Sequence, residues 1–177
     1  RTGVESDVLV LSGGVSAGVL DLVPSVLADC GVRPEFHKVH LRPGKPVWFG
    51  LLDRATGSPR RTLVFGLPGN PVSVLVCFEL FVRPALRRLL GQTNAAPHYQ
   101  PGALAASFTH RGDRPTYHPG VFEPNDNSSP AFPRRVRPIT WHGSADLRTL
   151  TAATVLVCFP PGDRSYAEGE EVTWLML

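Results

Sequence analysis

One methionine, Met176, and three cysteines are all the sulfur that this 177-residue chain carries. With its sole methionine near the far end, the sequence is expected to be a fragment whose residue 1 is not a translation start. The cysteines Cys30, Cys77 and Cys158 are odd in number, far apart and set in apolar segments. That placement speaks against a disulfide framework and for reduced core thiols in a cytoplasmic protein. No apolar run approaches the roughly 20 residues of a membrane span, and the opening Arg1-Thr2-Gly3-Val4-Glu5 has no hydrophobic core of a signal peptide. His37 and His40 form the closest histidine pair and have no Cys or carboxylate nearby at ligand spacing, so a zinc site is not expected. A large charge excess is missing too. The net charge is +3, with 11 Lys and Arg against 7 Asp and Glu in residues 1–91, and 7 against 8 in residues 92–177. That is too little and too dispersed for nucleic acid, but it leaves a modest positive bias in the first half.

Glycine is where the first half is rich. Asp7-Val8-Leu9-Val10-Leu11 is a short β-branched run suited to a buried strand, and Ser12-Gly13-Gly14-Val15-Ser16-Ala17-Gly18 follows it directly. A helix is expected next, with Asp21 as N-cap, Pro24 in the first turn and Gly31 beyond its end. Strand, glycine loop and helix in that order gather backbone N–H groups where an anion could sit. Val15 stands where a dinucleotide fingerprint has its middle glycine, and no Gly-Lys-Ser/Thr follows, so neither standard nucleotide loop is present. Taken alone, the run is equally a tight structural turn.

Residues 35–41 alternate as a strand does and lead into Arg42-Pro43-Gly44-Lys45-Pro46. On spacing this is a solvated basic turn. Its two prolines would also hold Arg42 and Lys45 in fixed directions, which lowers the entropy lost on gripping a phosphate. Strands are expected over 47–52 and 62–66, joined by a polar loop. Leu67-Pro68-Gly69-Asn70-Pro71 then opens a helix with Asn70 as N-cap and Pro71 at the first helical position. Val72, Leu75, Val76 and Leu80 continue it until Pro84 kinks or divides it, and Gly91 closes it. Two strand-loop-helix units whose loops share the carboxyl edge of one sheet would face one crevice.

From Pro97 onward proline, glycine and short apolar pieces replace helical periodicity. Strands are expected near 103–108, 116–118, 136–139, 154–159 and 172–177, with Glu168-Gly169-Glu170 as a polar turn. The expected architecture is thus a partial doubly wound α/β domain over 1–92 and a small all-β, barrel-like domain over 97–177. Trp141-His142-Gly143-Ser144-Ala145-Asp146-Leu147 could line a cleft or form a simple turn.

Three motifs in order, Ser12–Gly18 with Asp21 after it, Arg42-Pro43-Gly44-Lys45-Pro46, and the Leu67-Pro68-Gly69-Asn70-Pro71-Val72-Ser73 run, together resemble the molybdopterin molybdotransferases, which include the enzyme domain of gephyrin. The resemblance covers essentially the whole chain, since the Gly143-Ser144-Ala145-Asp146-Leu147 piece and the 168–170 turn look like that family's last domain. It implies a doubly wound pterin-binding domain in which Ser12, Gly13, Gly14, Ser16, Gly18, Pro68, Gly69, Asn70 and Ser73 receive the phosphorylated pterin. It further implies roles for Pro43, Gly44, Lys45 and Arg42 in the basic turn, for Asp21 as a catalytic and metal-associated acid, and for Ser144 near the site. Arg42 stands where the family often has lysine, so an electrostatic role carries over there and an acid/base role does not. The implied reaction takes adenylylated molybdopterin and molybdate, with Mg2+, and gives molybdenum cofactor and AMP. The family also implies a homodimer and substantial sequence ahead of residue 1, so the isolated chain is expected to bind pterin nucleotide with little turnover. A non-catalytic pterin-binding or scaffold module is the alternative. The competence-damage proteins, which share the pterin-type domain but not the β tail, come third.

Overall fold

The computed structural model describes residues 2–15, 21–54, 60–123, 134–140 and 146–177. Four strands form the first sheet: β1 (Val8–Ser12), β2 (Arg33–His37), β3 (Trp48–Asp53) and β4 (Arg61–Leu67), in the order β1-β4-β3-β2. β1 and β4 are parallel, as two strand-loop-helix units require. β3 runs antiparallel to both neighbours, so the sheet is mixed. The reason is local: a short connection from β3 to β4 can only return the chain as a hairpin, because a parallel neighbour needs a crossover of a dozen residues or more.

Both faces of the sheet are nevertheless covered. α1 (Val23–Asp29) packs on one, where Leu27, Val32, Trp48 and Val64 form a cluster with Val15. On the other face Phe65 and Leu67 meet Cys77 and Val82 of the long helix. β4 therefore carries apolar residues on both sides of its pleat, which explains its unbroken Thr62-Leu63-Val64-Phe65-Gly66-Leu67 run. The long helix is continuous from Pro71 to Leu89 but not uniform. α2 (Pro71–Cys77) passes through a π-helical segment, Phe78–Val82, into α3 (Arg83–Leu89). Pro84 has no N–H to give to the turn before it, and a π segment is how the helix absorbs that loss without stopping.

Three local expectations are corrected. The N-cap of α1 is Leu22, and Asp21 lies one residue earlier, although Pro24 in the first turn and a left-handed Gly31 after the end are as expected. The strand expected over 35–41 ends at His37, after which the backbone turns through Lys38 at φ 68°. Cys30 is exposed at the end of α1, whereas Cys77 is buried and Cys158 half-buried.

The second half is a closed barrel of β5 (Tyr99–Leu104), β7 (Thr116–Phe122), β8 (Arg135–Pro138), β9 (Val155–Phe159) and β11 (Glu171–Met176), ordered β11-β5-β8-β7-β9. β6 (Phe108–His110) and β10 (Arg164–Tyr166) form a ribbon beside it, and one short helix, α4 (Leu147–Ala152), interrupts the otherwise all-β order. Closure leaves no unpaired edge among the barrel strands. Leu104, Val136, Val155, Val157, Phe159 and Trp174 fill the interior. The alternate residues of β9 and β11 face outward, and Leu156 and Leu175 join Val76 of α2 and Leu41 in a separate buried cluster. The barrel is thereby packed on the long helix and on the segment that leads into the basic turn.

Candidate functional site

The register of the first sheet brings the three motifs to one edge. Ser12 pairs with Leu67, Gly66 with Trp48, and Trp48 with His37. The carboxyl ends of β1, β4 and β2 and the start of β3 therefore lie side by side. The loops after β1 and β4 abut: Gly13 N–H donates to the Leu67 carbonyl at 2.9 Å, and the Ser12 hydroxyl points to the Pro68 carbonyl at 3.4 Å. A Cβ on Gly69 would come within 3.5 Å of Gly13 Cα, so the two backbones run against each other with no side chain between them. Ser12, Gly69 and Asn70 are exposed there, while Pro68 and Ser73 are buried. Gly14 accepts a bond from Val23 N–H at 3.2 Å, which ties the far side of the first loop to the start of α1 two residues beyond Asp21. Ser16, Gly18 and Ser144 lie outside the described residues.

The basic turn arrives at the same edge because it runs directly into β3. Its backbone is pinned by Val39 N–H on the Lys45 carbonyl at 2.9 Å and Val47 N–H on the Gly44 carbonyl at 3.1 Å. Gly44 has φ 118° and a Cβ there would sit 2.6 Å from Cys77 Sγ, so both the conformation and the space demand glycine. The Cys77 thiol donates to the Gly44 carbonyl at 3.5 Å, and burial pushes its pKa up to about 12, which keeps it a neutral packing group. Pro43 is buried, while Lys45 projects at an exposed position. Arg42 is exposed as well, yet its Nη1 donates to the Arg111 carbonyl at 3.1 Å on the barrel side. Its main chain bonds there twice more, Arg42 N–H to the Pro115 carbonyl and Tyr117 N–H to the Arg42 carbonyl, both at 2.9 Å. His40 Nε2–H on the Asp113 carbonyl at 2.9 Å and Arg114 Nη1 on the Leu41 carbonyl at 3.1 Å complete a clasp between the turn and residues 111–117.

Two residues that sequence reading passed over hold the first loop in place. Val15, noted only as a missing glycine, is 1 % exposed and plugs into the sheet edge against Gly66 and Trp48. A Cβ on Gly66 would lie 2.6 Å from Val15 Cγ1. Burying such a side chain is worth about 2 kcal/mol, so the loop is anchored by packing as well as by hydrogen bonds. His37 Nε2–H donates to the Val15 carbonyl at 2.9 Å from the end of β2. A glycine inside an otherwise apolar strand signals close approach of another chain segment, and Gly66 was the legible half of this contact.

A sheet covered on both faces, with glycine loops meeting at one edge and a barrel clasped beside it, defines an α/β protein with an appended β-barrel. The comparisons give the family. Residues 1–88 match the probable molybdopterin binding domain, and residues 101–177 match the MoeA C-terminal region (domain IV). The chain is 39% identical over 120 residues to molybdopterin molybdenumtransferase 2 of Mycobacterium tuberculosis, covering 64% of this chain and 28% of that protein. It is 31% identical over 173 residues to molybdopterin molybdenumtransferase of a Nostoc species, covering 97% and 38% respectively. The structure of the molybdopterin biosynthesis moea protein from Pyrococcus horikosii superposes with a TM-score of 0.71 at 30% identity, over 97% of this chain and 37% of that one. This chain belongs to the molybdopterin molybdotransferase family. It spans 28% and 38% of the length of the two enzymes just compared and carries the parts corresponding to the pterin-binding domain and domain IV.

Proposed function

We propose that this chain forms one wall of a molybdopterin molybdotransferase site, which binds adenylylated molybdopterin and inserts molybdate with release of AMP. The observation that carries this reading is the convergence of the two glycine loops and the basic turn on a single sheet edge. Phosphate oxygens can approach closely only where no side chain intervenes, and the abutting Gly13 and Gly69 backbones leave such a place. In this reading the backbone of 12–14 and 68–70, with Ser12, Asn70, Ser73 and the 16–18 and 144 positions, receives the ligand. Pro43 and Gly44 shape the turn from which Lys45 offsets the charge that develops as the phosphoanhydride breaks. Arg42 adds its charge from the turn while it is held by the barrel.

Molybdate is substrate here, and Mg2+ is the proposed ion. Among the described residues no group of three His, Cys, Asp or Glu could hold a metal. Mg2+ commonly takes only one or two protein carboxylates and completes its shell with substrate phosphates and water, a requirement that a single carboxylate at Asp21 meets. Bound there, the ion would neutralise phosphate charge. No described helix is long and apolar enough to cross a membrane. A cytoplasmic homodimer, divided near residues 92–97 into pterin and barrel domains, belongs to the same reading.

Calorimetric titration of the full-length protein with adenylylated molybdopterin tests the placement. The unaltered protein should bind, and Lys45→Ala and Asp21→Ala should each weaken binding about tenfold or more, the scale of a lost charged contact. Unchanged affinity in both variants would reject this edge as the site.

A further inference from the structure

Between the end of the long helix and the barrel lies a cleft of about 80 Å3, with Glu79, Arg83 and Arg87 on the helix wall and His98, Gln100 and Met176 on the barrel wall. It shares no residue with the sheet edge proposed to receive the pterin. Glu79 is the only carboxylate among its described lining residues, and it is fully engaged. Its side chain is 3% exposed, and its two oxygens accept from Arg83 Nε at 2.5 Å and Arg83 Nη2 at 2.6 Å. A guanidinium carries five N–H donors, and Arg83 Nη1 makes no hydrogen bond among the described residues.

Arg87 stands one helical turn further along the same wall. It is half-buried, and its side chain has neither a carboxylate nor a hydrogen-bond acceptor among the described residues. On the barrel, by contrast, Arg135, Arg137 and Arg164 are matched by Glu168, Glu123 and Glu170. A cation in the last turn also favours the carboxyl end of a helix, but the exposed Arg88 next in sequence supplies that. The cleft therefore holds a positive charge that the fold itself does not balance. On the opposite wall Gln100 Nε2 donates to His98 Nδ1 at 3.4 Å, which leaves the ring proton on His98 Nε2 as a further donor. Guanidinium groups grip phosphate oxygens with paired donors, and donors from three side chains around so small a space match the several oxygens of a phosphate group. Met176, 45% exposed, adds an apolar shelf at the rim.

We propose that this cleft is a second ligand site, one that binds a phosphate group through Arg87, the unused Nη1 of Arg83 and His98. The bound group joins the helix of the first half to the barrel. Free phosphate and the head of a small phosphomonoester share this chemistry, and the apolar shelf suits the organic part of the ester.

Calorimetry and thermal melting of the full-length protein with inorganic phosphate, and separately with phenyl phosphate, test the proposal in unaltered, Arg87→Gln, Arg88→Gln and Lys45→Ala forms. Saturable binding at millimolar concentration or below is expected, with a melting temperature that rises with ligand. Arg87→Gln should bind about tenfold more weakly or worse, the scale of a lost charged contact, and should melt like the unaltered protein when no ligand is present. Arg88→Gln and Lys45→Ala should bind as the unaltered protein does. Tighter binding of phenyl phosphate supports the site and assigns it to a phosphomonoester, and equal binding of both supports it and assigns it to the phosphate group alone. Undiminished binding by Arg87→Gln, or no saturation by either probe, overturns the proposal. A loss in Lys45→Ala alone overturns it too, by placing the phosphate at the sheet edge, and an equal loss in Arg88→Gln overturns the built cleft in favour of diffuse charge.

Discussion

Val15 packs into the gap that Gly66 leaves beside Trp48, and the shape of the first glycine loop depends on that fit. A methyl group at residue 66 would meet Val15 Cγ1 at 2.6 Å inside a packed edge. Gly66→Ala is therefore expected to cost about 1–3 kcal/mol of stability, the usual range for overpacking, and to weaken ligand binding by displacing the loop. Urea denaturation and titration of the same variant check both halves. A variant with unaltered stability would mean that the loop moves aside at no cost. At this scale the sequence was only partly legible. Gly44 could be placed in a stiff turn, but its contact with Cys77 joins residues 33 positions apart and leaves no local signal. His37 had no motif at all, because its importance comes from the register that sets β2 beside β3, not from its neighbours in the chain.

The segment from Val39 to Arg42 is neither strand nor helix, yet it joins the two halves of the protein. His40, Leu41 and Arg42 bond to the barrel side at 111–117, and Leu41 is buried with Leu156 and Leu175. Arg114→Ala removes the bond to the Leu41 carbonyl and the side chain that covers it. Its expected cost is about 1–2 kcal/mol, as for one charged hydrogen bond, and amide exchange at Leu41 and Arg42 should quicken while the barrel interior stays protected. Uniform exchange across both halves would contradict a local clasp. Elements were the most legible scale. Hydrophobic patterning marked β1, β3 and β4, the Asn70-Pro71 start and the disturbance before Pro84, because each rests on side-chain or backbone properties within a few residues. The direction of β3 was not legible, and the N-cap of α1 was misread. Strand direction follows from connection length and sheet position, and the cap was decided by how the glycine loop reaches Val23.

Across the whole molecule, the long helix and the barrel share a buried seam, with Val76 and Leu41 on one side and Leu156 and Leu175 on the other. That seam follows from Leu156 of β9 and Leu175 of β11 facing outward, apolar where barrel residues facing water would be polar. The sequence shows the apolar runs but not what covers them. The central claim is that the three motifs form one binding edge, and hydrogen exchange of the full-length protein with and without adenylylated molybdopterin tests it directly. Bound ligand should slow exchange together at residues 13–15, 44–45 and 69–70, segments that are distant in sequence and adjacent in the sheet. Protection confined to one of them, or appearing only on the barrel, would contradict the account.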